Sequence, residues 1–237
     1  MIPILGTLKR MVESQAQTVT LALVDDLGEH DLLENLLESS KPAVAESLAR
    51  FDYLLRSPWR YPPLRWGSRF GRSHEPSLFY GALSEAALFA ETAYYRLLFL
   101  EGLSTPFAER VISQHTLFDA RFQTDYGHNL TLPPLAQFQA VLTHPADYAP
   151  CQNLGSALRE GRCEGFIYRS ARVVSSVQDG NNIALLSPAA LHSRKHRNPQ
   201  PVICESTTER ILLRHRGNLH RFDRAQFTLD GVLPQPA

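Results

Sequence analysis

The segment from Ser84 to Gly102 constrains the fold most, because it predicts a helix that is apolar on nearly every face. Ser84 suits the N-cap position, Glu85 falls in the first turn, and Gly102 marks the end. A helix of this kind must be covered on both sides, so the chain needs a sizeable core. At 237 residues, of which 43% are hydrophobic, the chain is long enough to form one.

One acid, Glu91, interrupts this helix near its middle. The residues three and four positions away are apolar or aromatic: Ala87, Leu88, Tyr94 and Tyr95. A buried, unpaired carboxylate costs several kcal/mol, so we expect an arginine or a ligand to answer the charge. The loop before the helix, rich in Gly and Pro, supplies the nearest guanidinium groups: Arg65, Arg69 and Arg72. A guanidinium binds a carboxylate or a phosphate through two coplanar hydrogen bonds.

The remaining segments predict an α+β fold, because strands and helices follow one another without regular alternation. Residues 1–60 are predicted to be helical and include an acidic helix ending near Pro42. The further predictions are a strand in "SLFYGAL", a helix or irregular stretch to Asp125, a short helix at 153–159, a strand in "GFIY" and two strands around "QDGNN". The last part, "ERILLRHRG" followed by "FTLDGVL", is predicted to form one or two further strands. The segment "HSRKHRNPQ" is expected to be a mobile loop. We expect a mixed, mostly antiparallel sheet with helices.

Composition narrows the classes of function. The formal charge of zero argues against a dedicated nucleic-acid binder, which would carry net positive charge. Cys151, Cys163 and Cys204 are odd in number and form no CxxC pair, so they predict neither a disulfide framework nor a zinc site. The first residues lack the order of a signal peptide, and no apolar run is long enough to span a bilayer. We therefore expect a cytoplasmic protein.

Four short motifs occur in a fixed order along the chain. They are Arg69 in "GSRFG", Tyr80 in "LFYGA", Glu91 in "FAETAYY" and Ser170 in "GFIYRSAR". Together they resemble the RES domain of bacterial toxin–antitoxin pairs, over roughly residues 61–191. This chain has "RFG" where many members have "RWN", and Arg169 stands where a proline is common; neither change replaces a residue of catalytic type.

The resemblance implies a fold similar to ADP-ribosyltransferases and cleavage of the nicotinamide–ribose bond of NAD+, with inorganic phosphate as co-substrate and no metal. It implies that Glu91 stabilises the cationic ribose, that Arg69 holds a phosphate, and that Tyr80 and Ser170 contact the dinucleotide. We expect Arg72 to support phosphate binding. The resemblance also implies an Xre-type antitoxin, nucleic acid contacted only through it, and a possible homodimer. The expected domains are a helical extension at 1–60 and a RES-like catalytic domain at 61–237.

Three other functions stay open on the sequence. A protein ADP-ribosyltransferase or an NAD+ glycohydrolase would use the same residues with a different acceptor. An RNA-directed toxin would use the basic segment that contains Arg194, Lys195 and Arg197. A module without catalysis would bind a partner through the acidic helix of the extension. A buried ion pair between Arg69 and Glu91 would serve structure alone.

Overall fold

The computed structural model describes residues 1–14, 23–104, 110–173 and 178–235. Eight strands and five α-helices make up the regular structure of these residues. The strands are β1 (Ile2–Glu13), β2 (Phe79–Ala82), β3 (Val111–Asn129), β4 (Gly165–Arg169), β5 (Asn181–Leu185), β6 (Arg197–Ser206), β7 (Arg210–His215) and β8 (Asn218–Asp223). The helices are α1 (Leu27–Ser40), α2 (Tyr53–Arg60), α3 (Glu85–Glu101), α4 (Gln139–Leu142) and α5 (Ala149–Glu160).

The sheet follows the order β1-β2-β5-β4-β3-β6-β7-β8, and β1 also pairs with β3. The first five strands in this order therefore close into a ring, and the last three extend the sheet from the first half of β3. All pairings are antiparallel except β3 with β4. The prediction of an α+β fold with a mixed, mostly antiparallel sheet is confirmed.

The helical prediction for residues 1–60 is wrong at its start, because residues Ile2–Glu13 form strand β1. This strand pairs with β3 from Ile2 opposite Gly127 to Glu13 opposite His115. Ile4 and Leu8 are buried on one face of it. A spacing of four residues places side chains on one face of a helix and also on one face of a strand, so the pattern did not separate the two.

Strand β3 corrects a second prediction, since a helix or irregular stretch was expected through Asp125. The strand runs over 19 residues, Val111–Asn129. Polar residues occupy several of its buried positions, among them Ser113, His115 and Thr124. The hydrophobic alternation that identifies a strand is therefore interrupted in the sequence, although the backbone alternates as a strand does.

Helix α3 confirms the prediction from which the fold argument began. Ser84 caps its N-terminus by accepting a hydrogen bond from the Ala87 amide, and the helix ends before Gly102. Eight of its residues are buried: Ala87, Leu88, Phe89, Ala90, Ala93, Tyr94, Leu97 and Leu100. Much of this surface packs on the extension of the sheet, against Val202 and Leu213 among others. The helix thereby brings Glu91 to the ring of strands.

Three segments after residue 170 differ from the prediction or lie partly outside the described residues. The segment "HSRKHRNPQ" was expected to be a mobile loop, but β6 begins within it at Arg197. The segment "FTLDGVL" forms no strand and contributes one isolated bridge, Leu229 to Val232. Of the strand expected before "QDGNN", residues 171–173 are bends, and 174–177 lie outside the described residues. All three cysteines are free and buried.

The acidic helix of the N-terminal extension is α1, and it contains no buried residue. An ion pair between Glu38 and Arg60, at 2.8 Å, connects it to helix α2. Because β1 belongs to the ring of strands, residues 2–13 are part of the same sheet as β3. The domain boundary at residue 61 stays a prediction.

Helix α5 carries a glycine, Gly155, at its closest contact with the loop that holds Arg69. A methyl group added at Gly155 would overlap the carbonyl oxygen of Phe70. Alanine is favoured over glycine within a helix by about 0.5–1 kcal/mol. Overpacking against backbone costs about 1–3 kcal/mol and should prevail.

We therefore predict that Gly155→Ala lowers the free energy of unfolding by about 1–2 kcal/mol, the difference between these two effects. Urea unfolding followed by circular dichroism measures it. The matched control is Gly102→Ala, where the nearest atom to an added methyl group lies at 3.5 Å and no loss is expected. Equal stability of the Gly155→Ala variant and the wild type would show that the loop does not rest on the helix.

Candidate active site

The Glu91 carboxylate is held by two side chains from the ring of strands. Its Oε1 accepts a hydrogen bond from Ser170 Oγ at 2.6 Å and one from Asn182 Nδ2 at 2.9 Å. Ser170 directly follows β4, and Asn182 lies in the paired strand β5 opposite Tyr168. Ser170 is 1% exposed and Asn182 is 3% exposed, while Glu91 is half-buried. Helix α3 and the two strands therefore meet at this carboxylate.

Among the described residues, two uncharged hydrogen-bond donors and no arginine contact the Glu91 carboxylate. Across residues 1–14, 23–104, 110–173 and 178–235, no cationic nitrogen lies within 4.0 Å of its carboxylate. The alternative of a buried Arg69–Glu91 ion pair, which would serve structure alone, is thus not what the structure shows. A hydroxyl and an amide can stabilise a carboxylate without neutralising it. The negative charge stays available for a ligand.

The direction of the serine hydrogen bond follows from its second partner. Ser170 Oγ accepts a hydrogen bond from the backbone N–H of Arg172 at 3.1 Å. An N–H can only donate, so the single hydroxyl proton of Ser170 points to Glu91. The Ser170 amide in turn donates to the carbonyl of Gly180 at 2.9 Å. The serine is therefore fixed by backbone on both sides.

Arg69 is buried on the other side of the site, with an exposed fraction of 8%. One terminal nitrogen donates to the carbonyl oxygens of Leu142 at 3.2 Å and His144 at 2.9 Å. The guanidinium stacks on the ring of Tyr148 at 4.2 Å from its centroid. The other terminal nitrogen, Nη2, is buried and has no hydrogen-bond partner among the described residues. That nitrogen is suited to an acceptor supplied by a ligand.

A second buried arginine, Arg172, continues this stack. It is 6% exposed, and its guanidinium lies 3.4 Å from the centroid of the Tyr94 ring. It donates to the hydroxyl of Tyr148 at 2.9 Å and to the carbonyl of Pro145 at 3.0 Å. Tyr148 thus touches both arginines, one on its ring and one on its hydroxyl. The chain of contacts joins Tyr94 on α3 to Arg69.

Tyr80 braces the loop that carries Arg69. Its hydroxyl accepts a hydrogen bond from the Phe70 amide at 3.1 Å and shares another with Ser68 Oγ at 2.9 Å. Burial raises the pKa of Tyr80 to about 12, so the hydroxyl stays protonated at neutral pH. No hydrogen bond joins it to Glu91 among the described residues, and its ring meets that of Tyr168 at 6.4 Å.

A cavity of about 520 Å³ opens beside Ser170. Most of its lining residues are of polar type, among them Thr131, Gln139, Thr143, Arg169 and Asn181. The volume lies within the range of about 300–1,000 Å³ that is usual for small-molecule sites. Since Ser170 both lines this cavity and binds Glu91, a ligand in the cavity would lie next to the carboxylate's donor.

The structure does not bring Arg72 to this cavity. Its guanidinium donates to Asn153 Oδ1, and the residue lines a separate cavity between β1 and the Arg69 loop. Of the residues predicted from sequence, Glu91 and Ser170 are in direct contact, and Tyr80 supports the Arg69 loop. Arg69 is connected to helix α3 through Tyr148, Arg172 and Tyr94. Within the described residues, no group of His, Cys, Asp and Glu is placed to hold a metal ion.

Sequence reasoning gave no role to three residues of this arrangement: Tyr148, Arg172 and Asn182. Asn182 falls in "QDGNN", whose composition predicts a turn, and only the start of β5 turns its side chain inward. Arg172 lies two residues after Ser170, inside the segment that carries the resemblance. Tyr148 lies in a region without a motif, so its contacts depend on the tertiary fold alone.

A family model named RES domain matches residues 44–205, more than half of the chain. The chain therefore belongs to the RES-domain family, which confirms the resemblance. A search of curated proteins gives no match. Among solved structures, the chain is similar to one titled "Crystal structure of the M.tuberculosis MbcT-MbcA toxin-antitoxin complex". The TM-score is 0.45 and the identity 13%, with 87% of each chain covered.

The contacts of Tyr148 with Arg69 and Arg172 can be tested by measuring the free energy of unfolding. Tyr148→Phe removes a hydrogen bond to a guanidinium, which is worth about 1.5–3 kcal/mol. Tyr148→Leu also removes the ring under Arg69, which adds about 0.5–2 kcal/mol. We predict that the free energy of unfolding falls in both variants, and further in the leucine variant.

Chemical denaturation of the whole chain measures these losses. The control is Tyr126→Phe, because the Tyr126 side chain is 55% exposed and no loss above about 0.5 kcal/mol is expected there. If Tyr148→Phe were as stable as the wild type, the hydroxyl would not hold Arg172.

Proposed function

We propose that this protein consumes NAD+ by cleaving the bond between nicotinamide and ribose, with inorganic phosphate as the acceptor. The observation that carries the proposal is the Glu91 carboxylate, held by Ser170 and Asn182 beside a polar cavity. Membership of the RES-domain family supports it. A glycohydrolase or a protein ADP-ribosyltransferase would differ only in the acceptor.

Glu91 suits the charge that this reaction develops. As the glycosidic C–N bond breaks, its electron pair leaves with nicotinamide and the ribose becomes cationic. A carboxylate fixed before the reaction stabilises that charge chiefly in the transition state, which is the condition for raising the rate. Because Ser170 and Asn182 are both buried, the Glu91 carboxylate needs little reorganisation during the step.

Arg69 suits the phosphates. The site holds two buried guanidinium groups, Arg69 and Arg172, against the single carboxylate of Glu91. This excess of positive charge favours an anionic ligand, and the unpartnered Nη2 of Arg69 supplies a donor for it. We assign Arg69 to a phosphate of the dinucleotide or to the attacking phosphate. Tyr80 stays a proposed contact of the nicotinamide ribose, with a second role in bracing the Arg69 loop, and Ser170 a proposed contact of the ribose or of a phosphate.

The acceptor completes the reaction. A phosphate oxygen forms a bond to the ribose carbon that nicotinamide has left, which gives an ADP-ribose phosphate. Water in its place would give ADP-ribose and a proton. Arg72 would act as an indirect support of phosphate binding, since it lies outside the cavity beside Ser170.

We also propose that the protein is the toxin of a toxin–antitoxin pair and that an Xre-type antitoxin restrains it. Family membership supports this, and the solved complex cited above is a toxin–antitoxin complex by its title. Phe138 and Val141 expose about half of their surface near the cavity wall, which gives a protein partner an apolar surface to cover. Nucleic acid would be reached through that partner. A cytoplasmic location and a homodimer remain part of the proposal. Within the described residues, no helix combines the length and the apolar character needed to span a membrane.

The reaction is tested by incubating the protein with NAD+, with and without phosphate, and identifying the sugar product by NMR. We predict nicotinamide release and a phosphorylated sugar that appears only with phosphate. Free ADP-ribose under both conditions would indicate hydrolysis, and label on a macromolecule would indicate protein ADP-ribosylation. Intact NAD+ would contradict the proposal, and degraded RNA beside it would favour an RNA-directed toxin.

The site is tested by Glu91→Gln and Arg69→Ala. We predict that each variant folds but loses NAD+ turnover by about a hundredfold or more, the usual cost of one electrostatic contact in a transition state. The matched controls are Glu209→Gln, in the turn before β7, and Arg214→Ala, on β7; both residues are exposed, and turnover should be unchanged. Undiminished turnover in either site variant, with a native circular dichroism spectrum, would overturn the assignment.

A further inference from the structure

A second cavity, of about 210 Å³, lies behind the Arg69 loop. Strand β1, the end of α2 and the proline-rich loop enclose it, and it is distinct from the cavity beside Ser170. Two of its lining residues are arginines, Arg10 and Arg72, and none is acidic. The concave surface therefore carries two positive charges and no carboxylate of its own.

Arg10 has no partner for its charge among the residues that the structure describes. Its guanidinium stacks on the ring of Phe79, 4.6 Å from the centroid, and makes no hydrogen bond or ion pair there. Arg10 is half-buried, and the partial loss of water lowers its pKa to about 10. An anion in the cavity would offset that loss.

Arg72 presents a second unmet donor at the same cavity. One terminal nitrogen of Arg72 binds Asn153, while its Nε is buried and has no partner within the described residues. The backbone amide of Arg72 binds Glu75, but that carboxylate forms no ion pair with the guanidinium. Arg10 and Arg72 thus bring a cation and a free N–H group to one small space.

Hydroxyl groups complete the wall. Ser68, Ser77 and Tyr80 all line the cavity. Ser77 Oγ donates its proton to the Tyr61 carbonyl oxygen at 3.0 Å, whereas Ser68 Oγ and Tyr80 Oη are hydrogen-bonded to each other and keep one hydroxyl proton between them for a ligand. Guanidinium groups together with hydroxyls are the usual donors for phosphate oxygens. The volume is below the range of about 300–1,000 Å³ typical of sites for larger small molecules, so the cavity fits a small anion.

We propose that this cavity is a second anion site that binds a phosphate group between Arg10 and Arg72, separate from the site of the dinucleotide. Ser68 connects it to the reaction, because this residue precedes Arg69 and is bound to Tyr80. An anion in the cavity would hold the Arg69 loop from behind. The inference concerns binding, so it does not depend on the proposed reaction.

Binding is tested by isothermal titration calorimetry with sodium phosphate, at constant ionic strength and without NAD+. We expect saturable binding to the wild type, and binding that persists in Arg69→Ala because the site lies outside the catalytic cavity. In the Arg69→Ala background, which removes the phosphate contact proposed for the reaction, Arg10→Gln should weaken it about tenfold or more, as expected when a charged hydrogen-bond donor is lost. The matched control Arg214→Gln removes an exposed arginine and should leave the affinity unchanged.

Two further measurements test whether a phosphate ester binds as well as inorganic phosphate, and provide a second variant in case the first misfolds. Adenosine monophosphate in place of inorganic phosphate shows whether a phosphate ester also enters, and the small volume predicts weaker binding. Should Arg10→Gln lose its native circular dichroism spectrum, Arg72→Gln replaces it, with the same weakening expected. Equal phosphate affinity in Arg69→Ala with and without the second, folded substitution, or no saturable binding to the wild type, would overturn the proposal.

Discussion

The candidate site depends on one interaction. Ser170 and Asn182, two uncharged side chains, each donate a hydrogen bond to the Glu91 carboxylate. A salt bridge would have cancelled the charge that the chemistry needs, whereas a hydroxyl and an amide hold the carboxylate and leave it negative. The interaction also fixes the geometry of the fold, because it joins helix α3 to the end of β4 and to the start of β5. The apolar surface of α3 secures the same helix on the extension of the sheet.

The two buried arginines of the candidate site are held by different contacts from those that hold the Glu91 carboxylate. Arg69 and Arg172 are both buried, and neither has a carboxylate partner among the described residues; tyrosine rings and backbone carbonyls contact them instead. Stacking on Tyr148 and Tyr94 removes the guanidinium faces from water while leaving nitrogen atoms at the edges to donate. This arrangement links both cations to helix α3, which carries Glu91, and an anionic ligand would compensate their charge.

Much of the site could be predicted from the sequence, but only part of the fold. Glu91 was identifiable because an acid in an apolar helix conflicts with its surroundings, and Ser170 because the segment "GFIYRSAR" resembles a motif of the RES domain. Of the two expected partners of Glu91, an arginine or a ligand, the structure shows no arginine among the described residues. Sequence spacing cannot place the actual donor Asn182, which lies in a strand 91 residues away. Strands β1 and β3 escaped prediction because a spacing of four residues suits a helix equally well, and because polar residues fill inward positions of β3.

The central claim is that the Glu91 cluster faces the substrate, and mapping the position of NAD+ on the protein tests it most directly. The Glu91→Gln variant, in which NAD+ turnover is expected to fall about a hundredfold or more, would be titrated with NAD+ while backbone amide NMR shifts are followed. The account predicts saturable shifts centred on Thr143, Ser170 and Asn182. Saturable shifts confined to the far strands β7 and β8, or no saturable shift at any amide, would contradict it.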